Sequence, residues 1–433
     1  MPWLDTARRD VTRLVCVYNL ADPLTAAPDA VRPLNHALDL GRFDGHVAAA
    51  GRLLPCLIGD TYIDHPDTLT VDGTTVPATS GRVLLLTTKR DDALLILDLH
   101  LPGEPDAATI ADWTYLLWRS RSTIRIGETP LLDWLKERVG RPRVTSPAFG
   151  RNVHQCVFAG GHLAAKLLDE SHDPTHISAE VLSMVFRGTM DGHQGTPLGV
   201  LRPPELNNGR QTMLAHGRGV TVAAGWSAPV ENALIIAATG LVNAAGVLHR
   251  ARRLALHTLE RNETADITSI SSYRRLIADL SDQLAGLQLD LSFGIEIYAD
   301  TILIPELLIE SYHASMRDTA GMTTSLTNTS QIIARVSSVI ESRRAALEAA
   351  TTEYMVRRER IVSTAVALGS ILALPPALLF GYFGVNGTDV DANRSIFDLA
   401  RYWPAYCAAW APFIIVLIVT MLLRRRIRLK LDP

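Results

Sequence analysis

The chain is poor in cysteine: Cys16, Cys56, Cys156 and Cys407 are the four among 433 residues, they stand far apart, and no two form a CxxC pair. That pattern excludes a disulfide frame and a cysteine-based zinc site, and reads as scattered reduced thiols. A Gly-rich phosphate loop, a Ser/His/Asp set and a metal-ligand motif are also lacking. An enzyme is therefore the weakest reading, and no catalytic residue or cofactor is assigned. Met1 to Asp10 is polar and mixed in charge, without the basic-then-apolar pattern of a signal peptide. The residues ahead of about position 360 are accordingly expected to stay in the cytoplasm. Net charge is only −3 because an acidic-to-neutral body averages with a strongly basic end, and no nucleic-acid partner is expected.

A chain of this length holds two or three domains. Residues 1–230 alternate short Val/Leu/Ile-rich runs with Pro/Gly-rich connections. Val11–Leu20, Arg82–Lys89, Ala93–His100, Asn152–Ala159, Val181–Arg187 and Val220–Trp226 read as β-like, Ile110–Arg121 and Pro130–Val139 as helical. An α/β or α+β cytoplasmic domain follows, with strand order left open. His162, Asp169, Glu170, His172, Asp173 and His176 form a His/acid cluster, and His172 and His176 have a zinc-compatible spacing. Pro174 lies between those two histidines, so a polar surface loop is the favoured reading.

From Val230 proline becomes scarce. Residues 231–304 are expected as cytoplasmic helices packing on a stalk: Asn232–Arg261 reads as one helix, with Glu231 near its start, and Ser269–Leu303 as another, with a break allowed at Phe293-Gly294. Pro305 suits the first turn of a new helix. Only Gly321 and Gly369 weaken the pattern before Pro375, so one helix about 118 Å long is predicted from Pro305 to Phe383. Its part 305–360 is the stalk. Met322, Leu326, Thr329, Ile333, Val336, Ile340, Arg343, Leu347, Ala350 and Tyr354 recur in steps of four and three, a coiled-coil-like seam. A parallel stripe, from Thr327 and Gln331 through Ala334, Ser338, Glu341, Ala345 and Glu348 to Thr352, is small or polar. It is either a solvated face or the lining of a wet axis.

Two long apolar runs close the chain. Residues 361–383 are uncharged, 384–402 form a short polar connector, 403–423 are apolar again, and 424–433 hold a basic end, Arg424-Arg425-Arg426-Ile427-Arg428-Leu429-Lys430. At about 1.5 Å per residue each run can cross a hydrocarbon core of roughly 30 Å. Arg357, Arg358 and Arg360 precede the first run and the arginine cluster follows the second, whereas the connector offsets Arg394 and Arg401 with Asp389, Asp391 and Asp398. The positive-inside rule then places both chain ends in the cytoplasm and the connector outside a cytoplasmic membrane. One span per helix cannot enclose a water path, so a pore would need several copies around an axis, each inward residue becoming a ring.

Gly384-Val385-Asn386 stands where the first run meets the connector. A Gly-X-Asn ending the penultimate span, a short loop, a last span and a basic tail resemble the CorA-type metal ion transporters, whose usual tripeptide is Gly-Met-Asn. The resemblance covers residues from about Glu353 onward. It implies a funnel-shaped homopentamer with the first span lining the pore, in contact with membrane lipid, that moves a divalent cation: Mg²⁺ foremost, with Co²⁺ and Ni²⁺ as further cargo. Zinc is the alternative, since Gly-Val-Asn variants occur in the zinc-transporting branch. The alternative of another class is a membrane-anchored signalling protein that passes no ions, for which the connector is too short to hold a sensor.

On that reading Gly384, Val385 and Asn386 select the ion. Asn386 is the metal-facing residue, presenting amide oxygens suited to a hydrated Mg²⁺, and Gly384 permits a positive-φ turn that ends the helix. Ser363, Val366, Ser370, Leu374 and Ala377 fall at steps of three and four and are assigned to the pore lining, or to close helix packing. Asp389 and Asp391 are placed to concentrate cations outside. Pro375-Pro376 is expected to bend the span.

Overall fold

The structure, a computed structural model, describes residues 11–21, 23, 31–139, 148–170, 177–188, 199–207, 211–264, 270–292, 295, 304, 306–385, 395 and 397–431. The strands are β1 (Thr12–Leu20), β2 (Cys56–Ile63), β3 (Leu69–Val71), β4 (Thr74–Thr75), β5 (Ser80–Thr87), β6 (Ala93–Leu101), β7 (Arg125–Ile126), β8 (Thr129–Pro130), β9 (Phe149–Ala159), β10 (Met213–His216) and β11 (Val220–Ala224). The helices are α1 (Asp44–Ala50), α2 (Ala107–Arg119), α3 (Leu131–Val139), α4 (Gly161–Glu170), α5 (Ala179–Phe186), α6 (Ala228–Thr264), α7 (Ile270–Leu291), α8 (Leu307–Thr319), α9 (Met322–Val385) and α10 (Leu399–Leu431). Tertiary contacts divide the chain into two units, Met1–Ile340 and Glu341–Pro433. A mixed α/β region thus precedes long helices, the last of them apolar.

The first unit is built on a seven-stranded sheet of order β10-β11-β9-β1-β6-β5-β2, with a small four-stranded sheet β4-β3-β7-β8 beside it. Neighbours in the large sheet are antiparallel except β11, which runs parallel to β9. β1 explains why. Its residues Thr12 to Tyr18 are all buried, as in a strand covered on both faces. Alternation sends Leu14, Cys16 and Tyr18 into a core shared with Ile110 and Leu117 of α2, and the Tyr18 hydroxyl donates to the Leu117 carbonyl at 2.9 Å. Arg13 points to the other face. It donates twice to Asp98 of β6, at 2.9 and 2.8 Å, and reaches Glu231 of α6 at 3.3 Å. α6 packs on β1 and β9, so this helix joins the first unit rather than standing apart from the sheet.

Two expectations change. Val181–Arg187 is not a strand: Ser178 caps α5 by accepting from the Val181 amide, and Val181, Leu182, Met184 and Val185 form its buried helical face. A short apolar run does not distinguish the two periods, and the cap decides here. The single helix from Pro305 is two, α8 and α9, because Gly321 takes φ +63° between them. That left-handed backbone suits glycine and ends a helix. The second of the helices expected within 231–304 is described from Ile270 to Leu291; Phe293-Gly294 and Pro305 lie outside the described residues.

The seam on α9 is buried at Met322, Thr329, Ile333, Val336 and Ile340, while Thr327, Gln331, Ala334 and Ser338 on the parallel stripe are exposed. Arg252 of α6 fixes this register by donating to the Thr329 hydroxyl at 2.7 Å and the Ser325 carbonyl at 2.8 Å.

Among the described residues, three stretches are long and apolar enough to cross a membrane: Ala228–Thr258, Met322–Gly381 and Leu399–Val419. In the first, 72% of the most apolar segment is buried inside the fold, against 6% in each of the others. The unburied apolar helices are compatible with transmembrane segments and indicate membrane association.

Candidate functional site

α9 carries the residues that the sequence reading assigned to a pore lining. Its polar half ends with Arg357, Arg358 and Arg360, all exposed, Arg357 pairing with Glu353 one turn back at 2.6 Å. An exposed i,i+4 pair of this kind adds only a few tenths of a kcal/mol, about 0.3–0.5, to the helix. The charged stretch stops at Arg360, and no charged side chain follows on α9.

Ser363, Val366, Ser370, Leu374 and Ala377 lie on this one helix and are all exposed in the chain. From Ser363 to Ala377 the axis advances about 21 Å, most of a hydrocarbon core. The Ser363 hydroxyl donates to the Arg360 carbonyl at 3.1 Å and the Thr364 hydroxyl to the same carbonyl at 2.7 Å. With their protons turned back onto the helix, these oxygens keep lone pairs outward, the polarity a cation needs. Leu368, Leu372 and Leu378 on the same helix are also exposed, whereas Leu379 is buried. The helix continues through Pro375 and Pro376.

Gly384 is corrected. It lies inside α9, which ends at Val385, and it is not among the glycines with positive φ. Glycine permits a left-handed turn without requiring one, and the apolar run ahead of it carries the helix one residue further. Asn386, Asp389 and Asp391 lie outside the described residues, as do His172, Asp173 and His176 of the His/acid cluster; His162 and Asp169 sit exposed on α4. Asp398 starts α10, accepting from the Ala400 amide at 3.2 Å through its carboxylate. Arg424 to Lys430 of the basic end belong to α10, which runs to Leu431. No group of three or more His, Cys, Asp or Glu that could hold a metal occurs among the described residues.

Sequence reasoning passed over Arg151, Arg187, Arg218 and Arg252, which the fold gathers around one cavity. They come from β9, the end of α5, the β10–β11 turn and α6, with no local motif to mark them. No known family model, curated protein or solved structure matches the chain.

Proposed function

We propose that this chain is a CorA-type channel or transporter for divalent cations, Mg²⁺ foremost, working as a homopentameric funnel in a cytoplasmic membrane. On this reading 361–383 and 403–423 span the bilayer, both chain ends are cytoplasmic, and Asn386 of each copy contributes to a ring of amide oxygens at the outer mouth. The observation that carries the reading is α9: one helix leads from a seam buried at Ile333, Val336 and Ile340 into an uncharged, unburied stretch that stops beside Asn386. A helix so divided has one half covered by its own chain and the other half suited to lipid or to further copies. Five copies would turn Ser363 and Ser370 into hydroxyl rings and Val366 and Leu374 into apolar constrictions able to close by dewetting. The Mg²⁺ is cargo; neutral oxygens hold it through its waters loosely enough for release.

Val385, where the family's methionine usually stands, favours zinc as the second cargo. Uptake into proteoliposomes with Mg²⁺, Co²⁺, Ni²⁺ and Zn²⁺ in parallel decides between them. Asn386→Ala is expected to remove most of the flux at equal protein and unchanged assembly, and Val385→Met to be tolerated. Unchanged flux in Asn386→Ala would reject the oxygen ring and put the non-conducting signalling reading ahead.

A further inference from the structure

We propose that the cavity bounded by β9, the β10–β11 turn, α6 and the first turn of α9 binds a small molecule carrying two or more linked phosphates. It measures about 400 Å³, within the range of small-molecule sites. Arg151, Arg187, Arg218, Arg252 and His249 line it, and among the described residues no Asp or Glu does. None of the four arginines pairs with a carboxylate among the described residues, although Arg13, Arg82, Arg90 and Arg250 elsewhere in this unit each do.

The two inner guanidiniums are held by neutral groups. Arg187, whose own backbone is left-handed at φ 58°, donates to Gln155 Oε1 at 2.7 Å and to the Gly219 carbonyl at 2.9 Å, and lies 4.9 Å from the centre of the Trp118 ring. A Cβ at Gly219 would come within 2.9 Å of Arg187 Nη2, so glycine there keeps the loop against the guanidinium. Arg252 is fixed on Thr329 and Ser325 of α9. Neutral acceptors orient these cations without cancelling their charge. Burial pulls the Arg187 guanidinium down to about 10, which leaves it charged at pH 7. Burial, and then the charges of Arg151, Arg253 and Arg252, hold His249 below the ordinary imidazole range. His154 also lines the cavity, fully buried; its Nε2 meets the Thr221 hydroxyl at 2.8 Å, and its Nδ1 has no hydrogen-bond partner among the described residues.

Like charges around a partly enclosed space repel one another and focus a positive field into it. A multiply charged anion relieves that repulsion at all four arginines together. Guanidinium forks match phosphate oxygens two at a time, and because Arg187 and Arg252 are already positioned, little ordering is required on binding. The cavity exceeds what a single phosphate fills and has cations on several walls, which favours a phosphate chain over one isolated group.

The test is calorimetric titration of the full chain in detergent with EDTA at low salt, using metal-free ATP, pyrophosphate, orthophosphate and citrate as separate probes. ATP and pyrophosphate are expected to bind at one site per chain, to compete with each other, and to weaken as salt rises. Orthophosphate and citrate should bind at least about tenfold more weakly, lacking the linked tetrahedral groups that the forks engage. The double variant Arg151→Gln/Arg218→Gln changes only exposed side chains; it should keep the wild-type melting midpoint and lose at least about tenfold in ATP affinity. Three results would overturn the proposal: no binding of ATP or pyrophosphate by the wild type, ATP binding that pyrophosphate does not displace or the double variant does not weaken, or citrate binding as tightly as pyrophosphate.

Discussion

α6 and the distal half of α9 pass the same test of length and apolarity, yet one is a core helix and the other is bare. Leu234, Ile235, Ile236 and Ala238 on α6 are fully buried against the sheet and its neighbours. Val366, Leu372, Leu378 and Phe380 on α9 are all more than half exposed. Apolarity states how strongly a surface avoids water, and not what covers it. α6 packs on β1 and β9 and carries polar anchors to the rest of its unit: Glu231 reaches Arg13 of β1, and Asn232 donates to the carbonyl of Asp39, ahead of α1, at 2.7 Å. Beyond Arg360, α9 has no polar anchor of that kind to another element among the described residues, and lipid or further copies must take the place of a sheet.

The sharpest way to break this contrast is to place the same charge in both helices. Leu234→Arg buries an unpaired cation where no water reaches, and is expected to cost more than about 4 kcal/mol, enough to unfold the first unit. Leu372→Arg should leave that unit folded while weakening membrane insertion by about 2.5–3.5 kcal/mol at mid-span. Hydrogen exchange over β1 reads the first effect, and the fraction of chain retained in alkali-washed membranes reads the second. A folded Leu234→Arg chain, or a Leu372→Arg chain that stays in the membrane like wild type, would erase the distinction drawn between the two helices.

The central strands were legible because burial on both faces leaves an unbroken apolar run. Val11–Leu20 became β1, Arg82–Lys89 overlapped β5, Ala93–His100 became β6 and Asn152–Ala159 lies within β9. Strand order was not legible, since nothing in the 220–224 run announces that it lies parallel to β9. That pairing brings Gly219 beside Arg187, so the basic cavity was equally hidden. Gly321 was visible as a weak point in the stalk, but only its backbone angle turns a tolerated glycine into a helix end. The 361–383 and 403–423 runs were plain from composition; α9 enters the first from the stalk and ends two residues beyond it, and α10 starts four residues before the second and ends eight after it, because helical hydrogen bonding does not stop at the edge of an apolar segment. Fold class and candidate spans are therefore readable locally, whereas sites assembled from distant residues are not.

Acid separates the two units by a smaller margin. His154 and His216 are buried and neutral, burial holding them down to about 3 and about 4, while residues 341–433 contain no histidine. The unfolded chain takes up a proton near pH 6.5 and the folded chain does not, so the stability each histidine leaves intact is full above about 6.5. It falls as pH drops toward the folded values, by about 2 kcal/mol for each histidine at pH 5. Protection factors in β9–β11, the exchange rates referred to an unfolded amide at the same pH, should therefore fall between pH 7 and 5, with those in the distal half of α9 unchanged. A profile flat in β9–β11 would mean that His154 and His216 are protonated in the native fold.

The smallest effect comes from one methyl group in each helix. Gly246 of α6 faces Asn19, and an added Cβ would meet the Asn19 amide nitrogen at 3.1 Å. Asn19 has little room to give, because its side-chain oxygen accepts from the Asn152 amide at 2.8 Å and its nitrogen donates to the Leu20 carbonyl at 3.3 Å. The helix gain of Gly→Ala, up to about 1 kcal/mol, is then offset by displaced contacts, and Gly246→Ala should be neutral or slightly destabilising. At Gly369 of α9 an added Cβ meets nothing within 4 Å, so Gly369→Ala should keep or raise the helix stability of a single chain. Melting midpoints of the two variants in one detergent give the comparison: Gly369→Ala at or above wild type, Gly246→Ala at or below it. The proposed pentamer sharpens the reading of Gly369→Ala, because small residues let neighbouring transmembrane helices approach. If its midpoint is kept but the assembled species is lost on size exclusion, the cover missing from the distal half of α9 is another copy of the chain. If assembly and midpoint both persist, lipid covers that position.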